Sequence, residues 1–150
     1  MPLLPDETAH DAARIRLIAR SDEARAALDA LEIEIDRFPC NVGRENRSST
    51  KLRVSVEHRM GVVTPLNHVY LHQAGEGRYI SREHFRISVV RGLFVLTDRA
   101  SALGTTVNGR TIGGRRRGGH IDLQDGDQIA IGDAGSPIVF EFRMDRRRRG

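Results

Sequence analysis

The sequence predicts an all-β protein, folded as an antiparallel β-sandwich of about 11 short strands. Apolar residues alternate with polar ones in many segments, such as "LEIEID" at 31–36, which is the period of a half-buried strand. Turn residues such as Arg91-Gly92 separate these segments at intervals of about eight to twelve residues. The pair Asn108-Gly109 suits a type I′ turn and predicts a hairpin between Thr105–Val107 and Arg110–Ile112.

The N-terminal elements include the only predicted helix. Residues 13–20, "ARIRLIAR", fit either a strand or part of a helix, and we favour the strand. The segment that follows starts with a Ser-Asp N-cap and good helix formers, which predicts a short helix near residues 22–30. The chain then returns to a strand whose alternation places Leu31, Ile33 and Ile35 on one face.

Further strands are predicted where β-branched and aromatic residues recur between turn residues. These apolar runs are "CNVGR" at 40–44, "LRVSVE" at 52–57, "NHVYL" at 67–71, "FRISVV" at 85–90, "LFVLTD" at 93–98, "QIAIG" at 128–132 and "IVFEFR" at 138–143. Their short length and regular spacing are typical of a sandwich.

The composition excludes several classes of protein. The single cysteine, Cys40, rules out an internal disulfide or a cysteine-based zinc site, and its apolar neighbours predict a buried thiol. No segment reaches the ~18 apolar residues of a membrane helix, and no signal-peptide pattern is present. We therefore expect no membrane insertion and a cytoplasmic location.

The basic residues, 24 in all, include one lysine, and the arginines form two runs at 115–117 and 146–149. Clustered arginines can bind nucleic acid or anionic surfaces. No aromatic residues interleave with either run, as they would on a platform for single strands. We favour a solvated loop and tail, and binding of nucleic acid stays open as a less favoured interpretation.

Polar clusters lie at the ends of two predicted strands. Gly43 and Arg44 end the run "CNVGR", and Ser81, Arg82 and His84 precede a strand in "YISREHFRI". A phosphate group is bound well by a guanidinium, a short hydroxyl and backbone N–H groups, which this set supplies. The catalytic alternative, with Ser81 as nucleophile and His84 as base, is weaker because no acid and no nucleophile turn are evident.

Taken in order, Gly-Arg, Ser-x-x-His, the downstream Asn-Gly and "LQDGDQIAIG" resemble the forkhead-associated (FHA) domain, a β-sandwich that binds phosphothreonine peptides through its loops. The resemblance implies that Arg44, Ser81 and Arg82 contact the phosphate and that Asn46 and Ser48 assist. It also implies that five residues support the structure of the site: Gly43, His84, Gly104, Asn108 and Gly109. Among them, His84 is implied to brace the binding loops by hydrogen bonding.

The chain departs from the family pattern at one position. The FHA pattern Asp-x-x-Ser-x-Asn-Gly-Thr corresponds here to "DRASALGT" at 98–105, so Leu103 stands where the family has asparagine. That asparagine holds the peptide backbone in the family, and losing a polar contact costs roughly 1–3 kcal/mol. We therefore predict altered or weakened peptide selectivity with the phosphate contacts retained.

The resemblance also sets the expected domain division and partners. Residues 1–12 are predicted as a flexible N-terminus, 13–143 as the FHA-like domain with an inserted excursion at 50–66, and 144–150 as a basic tail. We expect no catalytic residue, metal or cofactor, and the partner to be a phosphothreonine-containing protein, either a Ser/Thr kinase or its substrate. The alternative is a degenerate domain that binds a protein partner without phosphate.

Overall fold

The computed structural model describes residues 13–45, 67–73 and 78–146. This part of the chain forms eleven short strands and one helix. They are β1 (Ala13–Ala19), α1 (Asp22–Leu28), β2 (Glu32–Ile35), β3 (Cys40–Arg44), β4 (Val69–Leu71), β5 (Phe85–Val90), β6 (Leu93–Asp98), β7 (Thr105–Val107), β8 (Arg110–Ile112), β9 (Gly119–Leu123), β10 (Gln128–Ile131) and β11 (Val139–Arg146).

The strands form two sheets that enclose one core, which confirms the predicted β-sandwich. One sheet has the order β2-β1-β11-β10-β7-β8, and the other has the order β4-β3-β5-β6-β9. All pairs are antiparallel except β3 and β4, which pair in parallel with Val42 opposite Val69. A parallel pair needs a long crossover, and the connection from Arg44 to Val69 supplies the length.

Helix α1 and strand β1 match the favoured interpretation of the N-terminal residues. Ile15 and Leu17 of β1 are buried and face the core. The side chain of Ser21 accepts a hydrogen bond from the backbone N–H of Ala24, which is the predicted N-cap. The C-cap residue is Asp29, which has a left-handed φ of 58° and whose N–H donates to the carbonyl of Arg25.

Two details of the strand prediction differ from the structure. Leu31 lies outside β2 and is 70% exposed, because it belongs to the short connection between the helix and β2. Its carbonyl still accepts a hydrogen bond from Ala19 N. Strand β9 was not predicted, since its residues 119–122 are polar, glycine or half-buried and carry little apolar alternation. The predicted strand at 52–57 and the excursion at 50–66 lie outside the described residues.

The Asn108-Gly109 hairpin is confirmed. Thr105–Val107 pairs with Arg110–Ile112, with Val107 opposite Arg110. Asn108 and Gly109 have φ angles of 50° and 83°, the positive values that a type I′ turn needs.

The core is aliphatic with a small aromatic cluster. Phe94 contacts Phe38 and Phe142 edge-on, with ring centroids 5.3 Å and 5.5 Å apart. Cys40 is 3% exposed, and burial raises the pKa of its thiol to about 11. The thiol is therefore protonated and unreactive at neutral pH.

The C-terminal strand extends beyond the predicted domain boundary. Strand β11 runs to Arg146, so residues 144–146, which were predicted as tail, belong to the sheet. The extension forms because β1 continues opposite it, with Ile15 paired to Met144, and because Met144 N donates to Asp125 Oδ1 over 2.7 Å. In the described ranges, no helix has the length and apolar character needed to cross a membrane.

The two ends of the sandwich differ in their connections. At one end, here called the loop end, lie the β4–β5 loop (78–84), the β6–β7 loop (99–104) and the β8–β9 loop (113–118). At the other, here called the turn end, lie tight turns at Arg91-Gly92 and Asn108-Gly109. The connections at the loop end are long enough to carry side chains into a shared site.

Candidate functional site

A cavity of about 650 Å³ opens at the loop end. Among the described residues, five arginines and one acid, Glu83, line this cavity, so positive charge dominates this part of its walls. The lining residues are Arg44, Arg78, Ile80, Ser81, Arg82, Glu83, Arg99, Ala100, Ala102 and Arg116. The structure therefore brings the predicted residues Arg44, Ser81 and Arg82 together, and it adds three arginines that the motifs did not predict.

Arg44 is held at the end of β3 by the β4–β5 loop. Its backbone N–H donates to the carbonyl of Ser81 over 3.0 Å, and its Nη1 donates to the carbonyl of Ile80 over 3.4 Å. The first contact holds the backbone of Arg44, and the second holds its guanidinium, against the loop that carries Ser81 and Arg82. A guanidinium in this position can present two parallel N–H donors to an anion.

Gly43 is required by the close approach of two backbones. A Cβ atom at this position would lie 2.0 Å from the carbonyl oxygen of Arg82 and 2.6 Å from Nδ2 of Asn67. Asn67 fills the remaining space, since its Nδ2 donates to that same carbonyl over 2.7 Å. Only glycine lets β3 pass this close to the β4–β5 loop.

Asn67 was missed by sequence reasoning and is central to the architecture of the site. It is 1% exposed, and its Oδ1 accepts a hydrogen bond from Arg99 Nη1 over 3.1 Å. Arg99 also pairs with Glu83 at the cavity edge. Asn67 thereby links β4 to the loops on both sides, and no local pattern in the sequence indicates this role.

His84 joins two loops through both ring nitrogens. Its Nδ1 accepts from the backbone N–H of Ser81 over 2.9 Å, and its Nε2 lies 2.7 Å from the carbonyl of Gly104. These partners fix the tautomer that carries its proton on Nε2. The ring is fully buried, and burial lowers its pKa, although the Gly104 carbonyl and the Asp98 carboxylate act in the opposite direction.

Ser81 is oriented by the neighbouring loop. Its Oγ accepts a hydrogen bond from the backbone N–H of Ala102 over 2.9 Å. A hydroxyl has one hydrogen to donate, and the described contacts leave that hydrogen for a ligand in the cavity. Ser81 can therefore act as the short hydroxyl donor that a phosphate requires.

A buried carboxylate organises the β6–β7 loop. Asp98 is 2% exposed. Its Oδ1 accepts from Ser101 Oγ over 2.6 Å and from Thr105 Oγ1 over 2.9 Å, and its Oδ2 accepts from Ser101 N. Ser101 Oγ accepts in turn from Gly104 N over 2.9 Å. The Asp-x-x-Ser spacing indicated this loop, but the sequence did not predict that the carboxylate is its centre.

Of the remaining predicted residues, some lie at the loop end and others lie outside the described residues. Gly104 has a φ of +87°, and a Cβ there would lie 2.7 Å from the carbonyl of Ile112, so it supports the loop end directly. Leu103 is 39% exposed and does not line the large cavity. Asn46 and Ser48 lie outside the described residues.

The prediction that Asn108 and Gly109 support the site needs correction. They lie at the turn end, because β7 runs away from Gly104 for three residues at about 3.3 Å each. Asn108 Nδ2 donates to Asp127 Oδ1 over 2.8 Å, and its Oδ1 accepts from Gln128 N over 2.9 Å. These contacts stabilise the hairpin and do not reach the cavity.

The cavity contains the groups of an anion-binding site. The described residues include no group of three or more His, Cys, Asp or Glu side chains arranged to hold a metal ion. His84 is fully enclosed and both its nitrogens are occupied by backbone groups. It therefore positions the loops and does not contact the cavity as a base.

Solved structures with the same fold include several of low sequence identity. A structure of Mycobacterium tuberculosis EmbR in complex with a low-affinity phosphopeptide is 17% identical, with a TM-score of 0.54, over 92% of this chain and 26% of that chain. This chain thus spans about a quarter of EmbR.

Two further structures match over almost their whole length. The FHA domain of the CT664 protein from Chlamydia trachomatis is 18% identical, with a TM-score of 0.55, over 89% of this chain and 99% of that chain. The FhaA FHA domain complexed with the intracellular domain of Rv3910 is 18% identical, with a TM-score of 0.51, over 86% of this chain and 99% of that chain. These likenesses establish the fold.

The family is established by sequence. No curated protein sequence matches the chain. The family model for the FHA domain matches residues 40–132, a span from the start of β3 to the end of β10 that contains all of the described cavity lining. The chain belongs to the FHA domain family.

Proposed function

We propose that this domain is a non-catalytic module that binds a phosphothreonine-containing peptide, with Arg44, Ser81 and Arg82 as the phosphate ligands. The observation that carries the proposal is the cavity at the loop end, where these three residues converge with three further arginines and, in the described part of the lining, one acid. A phosphate near two negative charges is the ligand that such a set of guanidinium and hydroxyl donors suits best.

The rigidity of the site supports the same proposal. His84 and the backbone of Ser81 fix the β4–β5 loop, and Asp98 fixes the β6–β7 loop. Donors held before the ligand arrives lose little conformational entropy on binding. Asn46 and Ser48, which follow Arg44 closely in the sequence, are proposed to assist.

The partner is proposed from the family and from two solved structures with the same fold. EmbR was solved with a phosphopeptide, and the FhaA domain with the intracellular domain of another protein. We infer for this chain a phosphothreonine-containing protein in Ser/Thr kinase signalling, either the kinase itself or its substrate. The domain division is proposed as 13–146, with the predicted end moved to include all of β11.

The test is fluorescence-polarisation binding to a degenerate phosphothreonine peptide library and to its unphosphorylated twin. The expected result is binding that depends on phosphate and falls about tenfold or more in Arg44→Ala, since hydrogen bonds between charged groups are worth about 1.5–3 kcal/mol. Arg110→Ala is the matched control, an exposed arginine at the turn end. Equal affinity for both libraries would overturn the proposal.

A second candidate function is favoured by one observation. Leu103 replaces the family asparagine and is 39% exposed beside the β8–β9 loop, which suits an apolar contact to a protein partner without phosphate. This function predicts a complex that Arg44→Ala leaves intact and that survives phosphatase treatment. Pull-downs from phosphatase-treated and untreated lysates, each with Arg44→Ala and Leu103→Asn, separate the two functions.

A further inference from the structure

The β8–β9 loop carries three consecutive arginines, Arg115, Arg116 and Arg117, and is held against the β6–β7 loop by its backbone. Arg115 N donates to the carbonyl of Ala102 over 2.8 Å, and Arg116 N donates to the carbonyl of Ser101 over 3.0 Å. A third bond, from Arg117 N to Gly114 O over 3.0 Å, closes the loop on itself. The loop is thus fixed by main-chain contacts, which leaves its side chains for other uses.

The three arginines serve two different cavities. Arg116 lines the large cavity with Arg44 and Ser81. Arg115 and Arg117 line a second cavity of about 260 Å³, together with Ala102, Leu103, Gly113 and Gly114. Ala102 lines both cavities, so they adjoin and one extended peptide can reach both.

The second cavity has cationic walls and an apolar floor. Its described lining includes two arginines and no acidic side chain, so the charge of Arg115 and Arg117 is not neutralised within it. Leu103 contributes an aliphatic surface at the position where the family pattern has an amide. The combination favours a side chain with a short apolar stem and an anionic end.

We propose that this second cavity binds a second anionic group of the same ligand, a carboxylate or a further phosphate a few residues from the phosphothreonine. The inference rests on the proposed function and specifies its substrate class as acidic or multiply phosphorylated phosphothreonine segments. Arg115 and Arg117 are the specificity-determining residues, and the exchange of asparagine for Leu103 moves selectivity from an amide to these two charges.

The experiment uses the full chain and a series of fluorescent peptides. One peptide has a single phosphothreonine among neutral residues. The others add one glutamate, scanned over the positions on both sides, or add a second phosphothreonine at the best of those positions. We expect at least one position where glutamate tightens binding about fivefold, with a larger gain for the second phosphate. Raising the salt concentration is expected to reduce the gain.

The test variant is Arg115→Gln/Arg117→Gln, and its control is Arg91→Gln/Arg110→Gln. The control removes two exposed arginines at the turn end, and Arg91 has a left-handed φ of 53° that matches the 51° of Arg115. The test variant is expected to lose the gain from the second anion and to keep its affinity for the singly phosphorylated peptide. The control is expected to keep both, and urea unfolding checks that all variants are folded.

The outcomes separate this inference from the proposed function. Phosphate-dependent binding with no gain from any second anion overturns the inference and leaves the proposed function standing. Failure of the singly phosphorylated peptide to bind above its unphosphorylated twin overturns both. The inference is also overturned if the test variant retains the gain in affinity from the second anion. It is overturned as well if the test variant loses affinity only for unrelated oligonucleotides measured in parallel, a result that would assign the loop to nucleic-acid binding.

Discussion

Several of the buried side chains near the loop end are polar, whereas near the turn end three aromatic rings pack together. His84, Asp98 and Asn67 are almost fully buried near the cavity, and each is hydrogen-bonded to a neighbouring loop or to its own. At the turn end, Phe94 packs between Phe38 and Phe142, and the chain reverses through two-residue turns. The same strands thus end in two kinds of structure.

The two ends show that the loops of a sandwich can be held in place by hydrogen bonds from buried polar side chains. The backbone N–H and C=O groups of a loop are not paired within a sheet and usually bond to water. A loop becomes rigid when buried side chains take the place of that water. Buried polar groups are costly when unpaired, which makes each contact at the loop end specific in geometry. Aromatic packing at the turn end contributes stability with far less directional demand.

The largest expected effect comes from the turn end and should leave binding intact. Phe94→Ala removes a buried ring that contacts two others, and we expect a loss of about 3–5 kcal/mol in the free energy of unfolding. The measurement is urea denaturation, together with peptide affinity under conditions where the variant is folded. Phe94→Leu serves if the alanine variant does not fold. A weaker affinity of the folded variant would contradict the separation of the two ends.

A smaller stability effect, with a loss of binding, is expected from Gly43→Ala. The added Cβ meets the Arg82 carbonyl at 2.0 Å, so the loop must shift, at a cost of about 3 kcal/mol. Gly92→Ala is the control, since nothing lies within 4 Å of its Cβ and only its φ of +78° is unfavourable, which costs about 1 kcal/mol. Urea denaturation and phosphopeptide titration measure both variants. Equal effects in the two would refute the close-approach explanation.

The smallest effect is a pH dependence that belongs to the loop end. Burial lowers the pKa of His84 in the folded state, so below its ordinary pKa near 6.5 the unfolded chain binds more protons than the folded one. The stability that depends on neutral, buried His84 is therefore fully present above pH 6.5. As the pH falls below that value, the free energy of unfolding decreases by at most about 1.4 kcal/mol per pH unit. Urea midpoints between pH 8 and 5 measure it.

Two variants assign that pH dependence to its residue. His84→Gln is expected to lose stability at every pH and to show a shallower decline in acid. His120→Gln, at an exposed position on β9, is expected to keep the decline of the parent protein. If the stability of His84→Gln declines in acid as steeply as that of His120→Gln, the pH dependence arises from other groups.

Much of the fold followed from local pattern. Alternation in β1, β5, β6 and β10, the Ser21 cap and the Asn108-Gly109 turn each depend on neighbours within a few residues, so a single sequence reveals them. Leu31 was misplaced because alternation cannot tell where a strand begins after a helix. The parallel pairing of β3 and β4 depends on a long crossover, and β9 carries too few apolar residues for its periodicity to stand out.

The short motifs that identify the site are evident from the sequence alone: Gly43-Arg44, Ser81-Arg82 and His84, and the loop after Asp98. Each motif is local, so its residue types can be read directly. Tertiary structure decided which side chains share the cavity, adding Arg78, Arg99 and Arg116 and excluding Asn108 and Gly109. It also decided that Asn67 and Asp98 fix the loops, because hydrogen bonds between segments distant in sequence exist only after the two sheets have closed.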